Sequence, residues 1–130
     1  MDNVENLTAG QVEQRPIIVV DDDEAVTDIL ACFLAEEGYS VVVAHNGLEA
    51  IERLLTCRPC MILLDMQMPR MDGRAFVAAY RQYPAPHAPI IVMSAAYDLR
   101  LWAARIGAKD YLCKPFDLYH MLDLVHRYAL

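Results

Sequence analysis

Apolar and polar residues are distributed along this chain in blocks with two different periods. Ile17-Ile18-Val19-Val20, Met61-Ile62-Leu63-Leu64, Ile90-Ile91-Val92-Met93 and Tyr111-Leu112-Cys113 are continuous apolar runs, and Val41-Val42-Val43 is a shorter one. Unbroken runs of this length between helical segments read as strands buried on both faces of a parallel sheet. Between them the period changes. From Asp23 onward Val26, Ile29, Leu30, Phe33 and Leu34 recur at helical spacing, with acidic residues in the first turn and Gly38 as the stop. Asn46-Gly47 reads as a turn, and Leu48, Ile51, Leu54 and Leu55 mark a second helix ended by Pro59. A loop from Met66 to Gly73 leads to a third helix over roughly 74–83, and Pro84, Pro86 and Pro89 forbid helix before the next strand. A fourth helix is predicted from about Tyr97 to Ile106 with Gly107 behind it, a last strand over about 109–112, and a fifth helix from near Phe116 to the end. Strands alternating with helices over short connections predict right-handed βαβ units, hence an α/β, doubly wound parallel sheet.

Chemistry sits where the strands stop. Asp21-Asp22-Asp23 follow the first run, Asp65 the third, Ser94 the fourth and Lys114 the fifth. In open parallel sheets ligands bind beyond the carboxyl ends of the strands. Carboxylates, a hydroxyl and an ammonium are therefore expected on one rim, where a divalent cation and a phosphoryl group could be held together. Two carboxylates about 5 Å apart repel by roughly 3 kcal/mol at an effective dielectric near 20. One of the group should accordingly have a raised pKa until a metal neutralises it.

Composition narrows the picture. The 130 residues, 56% hydrophobic, suffice for one domain with a real core and not for two. A formal charge of −7 without a basic patch argues against direct nucleic-acid binding. Residues 1–15 are polar and aperiodic and read as a flexible leader, with the domain over 16–130. The start is no secretory signal and no run is long enough to span a bilayer, so a cytoplasmic location without membrane contact is expected. Cys57-Arg-Pro-Cys60 has CxxC spacing, but it closes a helix instead of opening one, the wrong polarity for thiol activation. Cys32 and Cys113 read as core. His45, His87, His120 and His126 are scattered and read as surface residues, and Met66, Met68 and Met71 as loop packing. Asp23 and Glu24 suit a helix N-terminus, and Asp72 suits the cap of the third helix.

Taken in order, Val19-Val20-Asp21-Asp22-Asp23, Leu63-Leu64-Asp65-Met66-Gln67-Met68-Pro69 with Met71-Asp72-Gly73, Val92-Met93-Ser94-Ala95, and Gly107-Ala108-Lys109-Asp110-Tyr111-Leu112-Cys113-Lys114-Pro115-Phe116 resemble a bacterial two-component response-regulator receiver domain. The likeness extends over about residues 16–130. It implies a flavodoxin-like sheet in the order 2-1-3-4-5 with five helices. It also implies that Asp65 is the phosphoacceptor, that Asp21, Asp22, Asp65 and the main-chain carbonyl of Gln67 bind Mg²⁺, and that Ser94 and Lys114 contact the phosphoryl group. Tyr111 would be an aromatic switch, and the Lys114–Pro115 bond would be cis. The implied partners are a sensor histidine kinase or histidine phosphotransfer protein, and a second copy or effector protein on the face of helix 4, strand 5 and helix 5. Trp102 is either an anchor for that partner or a residue packed sideways on its own helix.

The chain departs from the commonest pattern at Ser94, which keeps a hydroxyl where threonine is frequent, at Cys60, where an acidic residue often stands, and at Ile106, usually a small position, which predicts a helix 4 set farther from the sheet. Gln67 and Ala96, the positions that tune phosphoryl lifetime in the family, supply no acid or base, so no fast self-hydrolysis is expected. The resemblance thus implies a signalling switch that promotes its own phosphorylation and slow dephosphorylation, not a turnover enzyme. An aspartyl-phosphate phosphohydrolase needs a second carboxylate two residues after the nucleophile, where Gln67 stands. Nucleotide binding lacks GxGxxG and GKS/GKT. A receiver-like interaction module that is never phosphorylated is the other alternative.

Overall fold

The computed structural model describes residues 15–95 and 98–130. Residues 1–14 of the expected leader, Ala96 and the expected start of the fourth helix at Tyr97 lie outside them. Five strands, β1 (Ile17–Val20), β2 (Val41–Ala44), β3 (Met61–Asp65), β4 (Ile90–Ser94) and β5 (Asp110–Cys113), form one parallel sheet in the order β2-β1-β3-β4-β5. Five helices connect and close it: α1 (Glu24–Glu36), α2 (Gly47–Leu54), α3 (Gly73–Tyr80), α4 (Leu99–Ile106) and α5 (Leu118–Tyr128). This is the α/β, doubly wound, flavodoxin-like arrangement anticipated above.

Side chains alternate across the sheet and so divide the apolar runs between two cores. Ile17, Val19, Met61, Leu63, Ile91, Met93 and Leu112 pack against Leu30 and Leu34 of α1 and Met121, Leu124 and Val125 of α5. Ile18, Val20, Ile62, Leu64, Ile90 and Val92 pack on the other face against Ala50 of α2, Phe76, Val77 and Tyr80 of α3, and Leu99 and Ala103 of α4. The inner strands are buried on both faces, which is why they show no polar alternation.

Some local expectations are corrected. Asn46-Gly47 is no free turn: the Asn46 side chain caps α2 by accepting from Glu49 N–H at 2.9 Å, and Gly47 is the first helical residue. The buried line of α1 is Thr27, Leu30 and Leu34, leaving Ile29 54% exposed, because the stripe facing the sheet is rotated from the one read off apolar residues alone. Leu55 falls after the last residue of α2 and is 75% exposed. Cys32 and Cys113 are exposed as well. Cys32 lies two residues from Leu30, a rotation of about 200° that carries it to the outer side of α1; Cys113 ends an edge strand, where cover is incomplete.

The far edge of the sheet is β2. Ile17 N–H takes the Ser40 carbonyl and Asp21 N–H the Ala44 carbonyl, so the even-numbered carbonyls of this segment face β1 and the Val43 carbonyl faces outward. Arg53 Nε–H donates to that outward oxygen at 3.1 Å.

Candidate functional site

At the carboxyl ends of β1 and β3, which pair through Val20 and Leu64, the next residues are Asp21 and Asp65. Their carboxylate oxygens and one of Asp22 all lie within 4.8 Å of one another. Asp21 and Asp65 are buried and Asp22 is exposed, so the group opens to solvent on one side. The Asp21 carboxylate is held from behind: Oδ1 accepts from Asp23 N–H at 3.0 Å, and Oδ2 accepts from Lys114 Nζ at 2.5 Å. Lys114 Nζ also lies 3.5 Å from Asp65 Oδ2. Asp65 Oδ1 accepts from Gln67 N–H at 3.3 Å. A single ammonium therefore serves two of three carboxylates.

The electrostatics follow from that imbalance. Burial, and next the nearby Asp21 charge, raise the Asp65 pKa from 3.8 to about 6 against the opposing pull of Lys114. Burial works to lower the Lys114 pKa, but the hydrogen bond that Lys114 donates to Asp21 and the two carboxylate charges outweigh it and the pKa is raised. The cluster carries more negative charge than its own cation neutralises. Three hard oxygen donors around an under-compensated site fit a small divalent cation such as Mg²⁺, whose remaining positions water and phosphate oxygens can fill.

Ser94 ends β4, fully buried, on the same rim. Its carbonyl accepts from Lys114 N–H at 2.9 Å, which ties the two residues through the main chain. The Lys114–Pro115 peptide is cis, as the family likeness implies, and Ala85–Pro86 is cis without any signal in the sequence. Tyr111 is half-buried against the α2/α3/α4 core. Asp21, Asp22, Asp65, Ser94 and Lys114 thus come together. Asp23 and Asp72 are spent as helix caps, accepting from Ala25 and Val26 N–H and from Ala75 N–H respectively. Trp102 lies under the Arg74 guanidinium of α3, 4.8 Å from its ring centroid, and 5.6 Å from that of Arg105. Cys57 and Cys60 have thiols whose pKa is raised by burial, against any activated pair.

Two glycines that sequence reading took for turn residues shape the loop after Asp65. A Cβ on Gly73 would stand 2.8 Å from the Asp65 carbonyl oxygen and 2.9 Å from Met66 Cα; one on Gly47 would stand 2.7 Å from the Met71 oxygen. Gly73 N–H donates to the Met66 carbonyl and Gly47 N–H to that of Met71, so the loop is clamped at both ends by backbone contacts. The Asn-Gly and Asp-Gly pairs are the signal that could have disclosed this.

Residues 17–126 match the family model of the response regulator receiver domain. The chain is 41% identical over 108 residues to response regulator MprA of Mycobacterium avium, covering 82% of this chain and 47% of that protein, and equally identical to MprA of Mycobacterium tuberculosis, covering 46% of it. It spans about half the length of these curated relatives. Among solved structures, a two-component response regulator from Clostridium difficile superposes with a TM-score of 0.81 at 28% identity, covering 88% of this chain and 95% of that one. The receiver domain from Bermanella marisrubri gives 0.79 at 36% identity, covering 89% and 98%. TrrA from Thermotoga maritima, solved in complex with Mg²⁺-BeF, gives 0.78 at 28% identity, covering 88% and 98%. With the fold, the acidic rim and these matches in agreement, the chain belongs to the response regulator receiver domain family of two-component systems.

Proposed function

We propose that this domain accepts a phosphoryl group on Asp65 from a phosphohistidine of a sensor kinase or phosphotransfer protein, in a Mg²⁺-dependent reaction in the cytoplasm. The observation that carries the reading is the convergence of Asp21, Asp22 and Asp65 on Lys114 at one rim. Mg²⁺, held by those three carboxylates and the main-chain carbonyl of Gln67, would offset the repulsion between Asp65 and the incoming group and polarise a phosphoryl oxygen. Charge compensation would favour the ionised, nucleophilic form of Asp65, which burial and Asp21 disfavour. An Asp65 oxygen attacks phosphorus, the P–N bond breaks, and the imidazole leaves with the electron pair. Lys114, already between the two buried carboxylates, neutralises charge on a second phosphoryl oxygen, and Ser94 donates to a third. The mixed anhydride is open to hydrolysis, so the output is a transient state and not a released product.

The readout would run through Ser94 and Tyr111 to the face of α4, β5 and α5, which then binds a second copy or an effector protein. Differential contact worth a few kcal/mol is enough for such a shift. The test is incubation with a small acyl-phosphate donor with and without Mg²⁺, for wild type and Asp65→Asn, read as intact mass. One added phosphoryl group on wild type, dependent on metal and lost in the variant, is the expected result. No metal-dependent adduct on wild type would favour an interaction module that is never phosphorylated.

A further inference from the structure

α4 is held very differently at its two ends. Its C-terminus is closed by Gly107 in the left-handed region at φ 72°, with Ala108 N–H on the Ala103 carbonyl at 2.9 Å, and Arg81, the C-cap residue of α3, donates from its guanidinium to the Ile106 carbonyl at 2.6 Å. At the other end Asp98, the N-cap residue, makes no side-chain capping bond, whereas Asp23, Asn46, Asp72 and Asp117 each cap their helices with one. Only Leu99 and Ala103 of α4 are buried. Beyond the buried core that Leu99 shares with α3, Arg74 of α3 stacks on the Trp102 ring in this half. Arg74 and Arg81 are seven residues apart, two turns, so they leave α3 on one side and grip α4 at two levels.

The loosely held end is also the end nearest the site. Asp98 stands four residues after Ser94, whose carbonyl is tied to Lys114 N–H. A groove of about 190 Å³ bounded by Met66, Gln67, Asp72, Arg74 and Trp102 runs beside the loop that follows Asp65. Ser94 and the start of α4 are thus close along the chain, while Arg81 holds the far end of the helix through the Ile106 carbonyl.

We propose that Arg74 is a positioning residue: its stack on Trp102 is a latch that holds the amino-terminal half of α4 in the resting arrangement, with the Arg81–Ile106 contact as the pivot, and its release is part of the response to phosphorylation. The coupling to phosphorylation rests on the phosphoacceptor reading of Asp65, and the latch itself does not. An exposed cation–π contact corresponds to a change of about two- to fivefold in an equilibrium. Two measurements on the full chain decide the matter. In metal-free protein, amide exchange at Trp102, whose N–H donates to the Asp98 carbonyl, should rise about two- to fivefold in Arg74→Ala and less in Arg74→Lys, with the Ala108 amide unchanged. Affinity for beryllofluoride with Mg²⁺, a phosphoryl mimic, should tighten by a similar factor in Arg74→Ala, and Trp102→Leu should add nothing when combined with it. Unchanged exchange at Trp102, or a rise spread over the whole helix, overturns the latch. Looser exchange with unchanged or weaker beryllofluoride affinity overturns its coupling to the site. If wild type fails to bind beryllofluoride, the phosphoacceptor reading and the coupling fall together, and the exchange measurement alone still decides whether the latch exists.

Discussion

Asp65 is the residue on which charge, burial and chemistry meet. Its pKa is raised to about 6 by burial and by Asp21, while in the unfolded chain it returns to near 3.8. Between those values the folded protein binds the extra proton, so stability from this group is complete below about pH 4 and is lost as pH rises through 6. Replacing the carboxylate with a neutral amide removes that loss. Asp65→Asn should therefore be more stable than wild type at pH 7 without metal, by about 1–2 kcal/mol once solvent screening is allowed for. The difference should vanish near pH 4. Urea melts of both proteins at the two pH values measure it, and a variant less stable than wild type at pH 7 would mean that the cluster is not repulsive. Residue identity was the most legible level of this site: Asp21, Asp65, Ser94 and Lys114 could be named because each directly follows or ends an apolar run. The hydrogen bond that takes Lys114 to Asp21 at 2.5 Å, closer than to Asp65 at 3.5 Å, was not legible, because it depends on side-chain reach across strands.

Among the elements, the strands were easiest to read and the helix starts hardest. Double-sided burial leaves a plain mark in β1, β3 and β4, but the beginnings of α2 and α3 depend on how close two backbones come. Asn46 and Glu49 have capping-box spacing, with Glu49 accepting from His45 N–H at 2.9 Å, and this was available in the sequence beneath the stronger turn signal of Asn-Gly. Asp72 caps the third helix as its sequence suggests, but Gly73, which reads as a loop residue, is the first residue of the helix and admits the Asp65 carbonyl. Gly73→Ala gains helix propensity of nearly 1 kcal/mol but forces a Cβ to within 3 Å of main-chain atoms, at an overpacking cost of about 1–3 kcal/mol. We expect a net loss of about 1 kcal/mol in urea denaturation, together with weaker Mg²⁺ binding because the obstruction falls on Asp65, a proposed metal ligand. A variant as stable as wild type that binds metal equally well would show that the loop yields freely. The exposed positions of Ile29 and Leu55 carry the complementary lesson, since periodicity finds a helix more readily than the rotation at which it docks.

For the whole molecule, the proposed metal site makes Mg²⁺ binding and folding one linked equilibrium. Mg²⁺ that binds the assembled rim and not the unfolded chain stabilises the fold by about 2.7 kcal/mol at a concentration a hundred times the dissociation constant. Protons compete for Asp65, so the metal-induced rise in melting temperature should be full at pH 8 and shrink as pH falls through about 6. Thermal melts with and without Mg²⁺ across that range test it, and a rise independent of pH would point to binding away from Asp65. The strand order and the shared rim were legible from the block pattern and the family likeness, because the switch-point rule converts strand ends into one place. The bracing of α4 by Arg74 and Arg81 was not, for nothing in a list of residues says which arginine finds a ring and which a carbonyl. The flank of the sheet supplies a last consequence. An unprotected outer strand is a template on which a neighbouring chain can continue the ladder. With the guanidinium of Arg53 occupying the outward oxygen of Val43, a newcomer aligning there would have to displace a cation to use that acceptor.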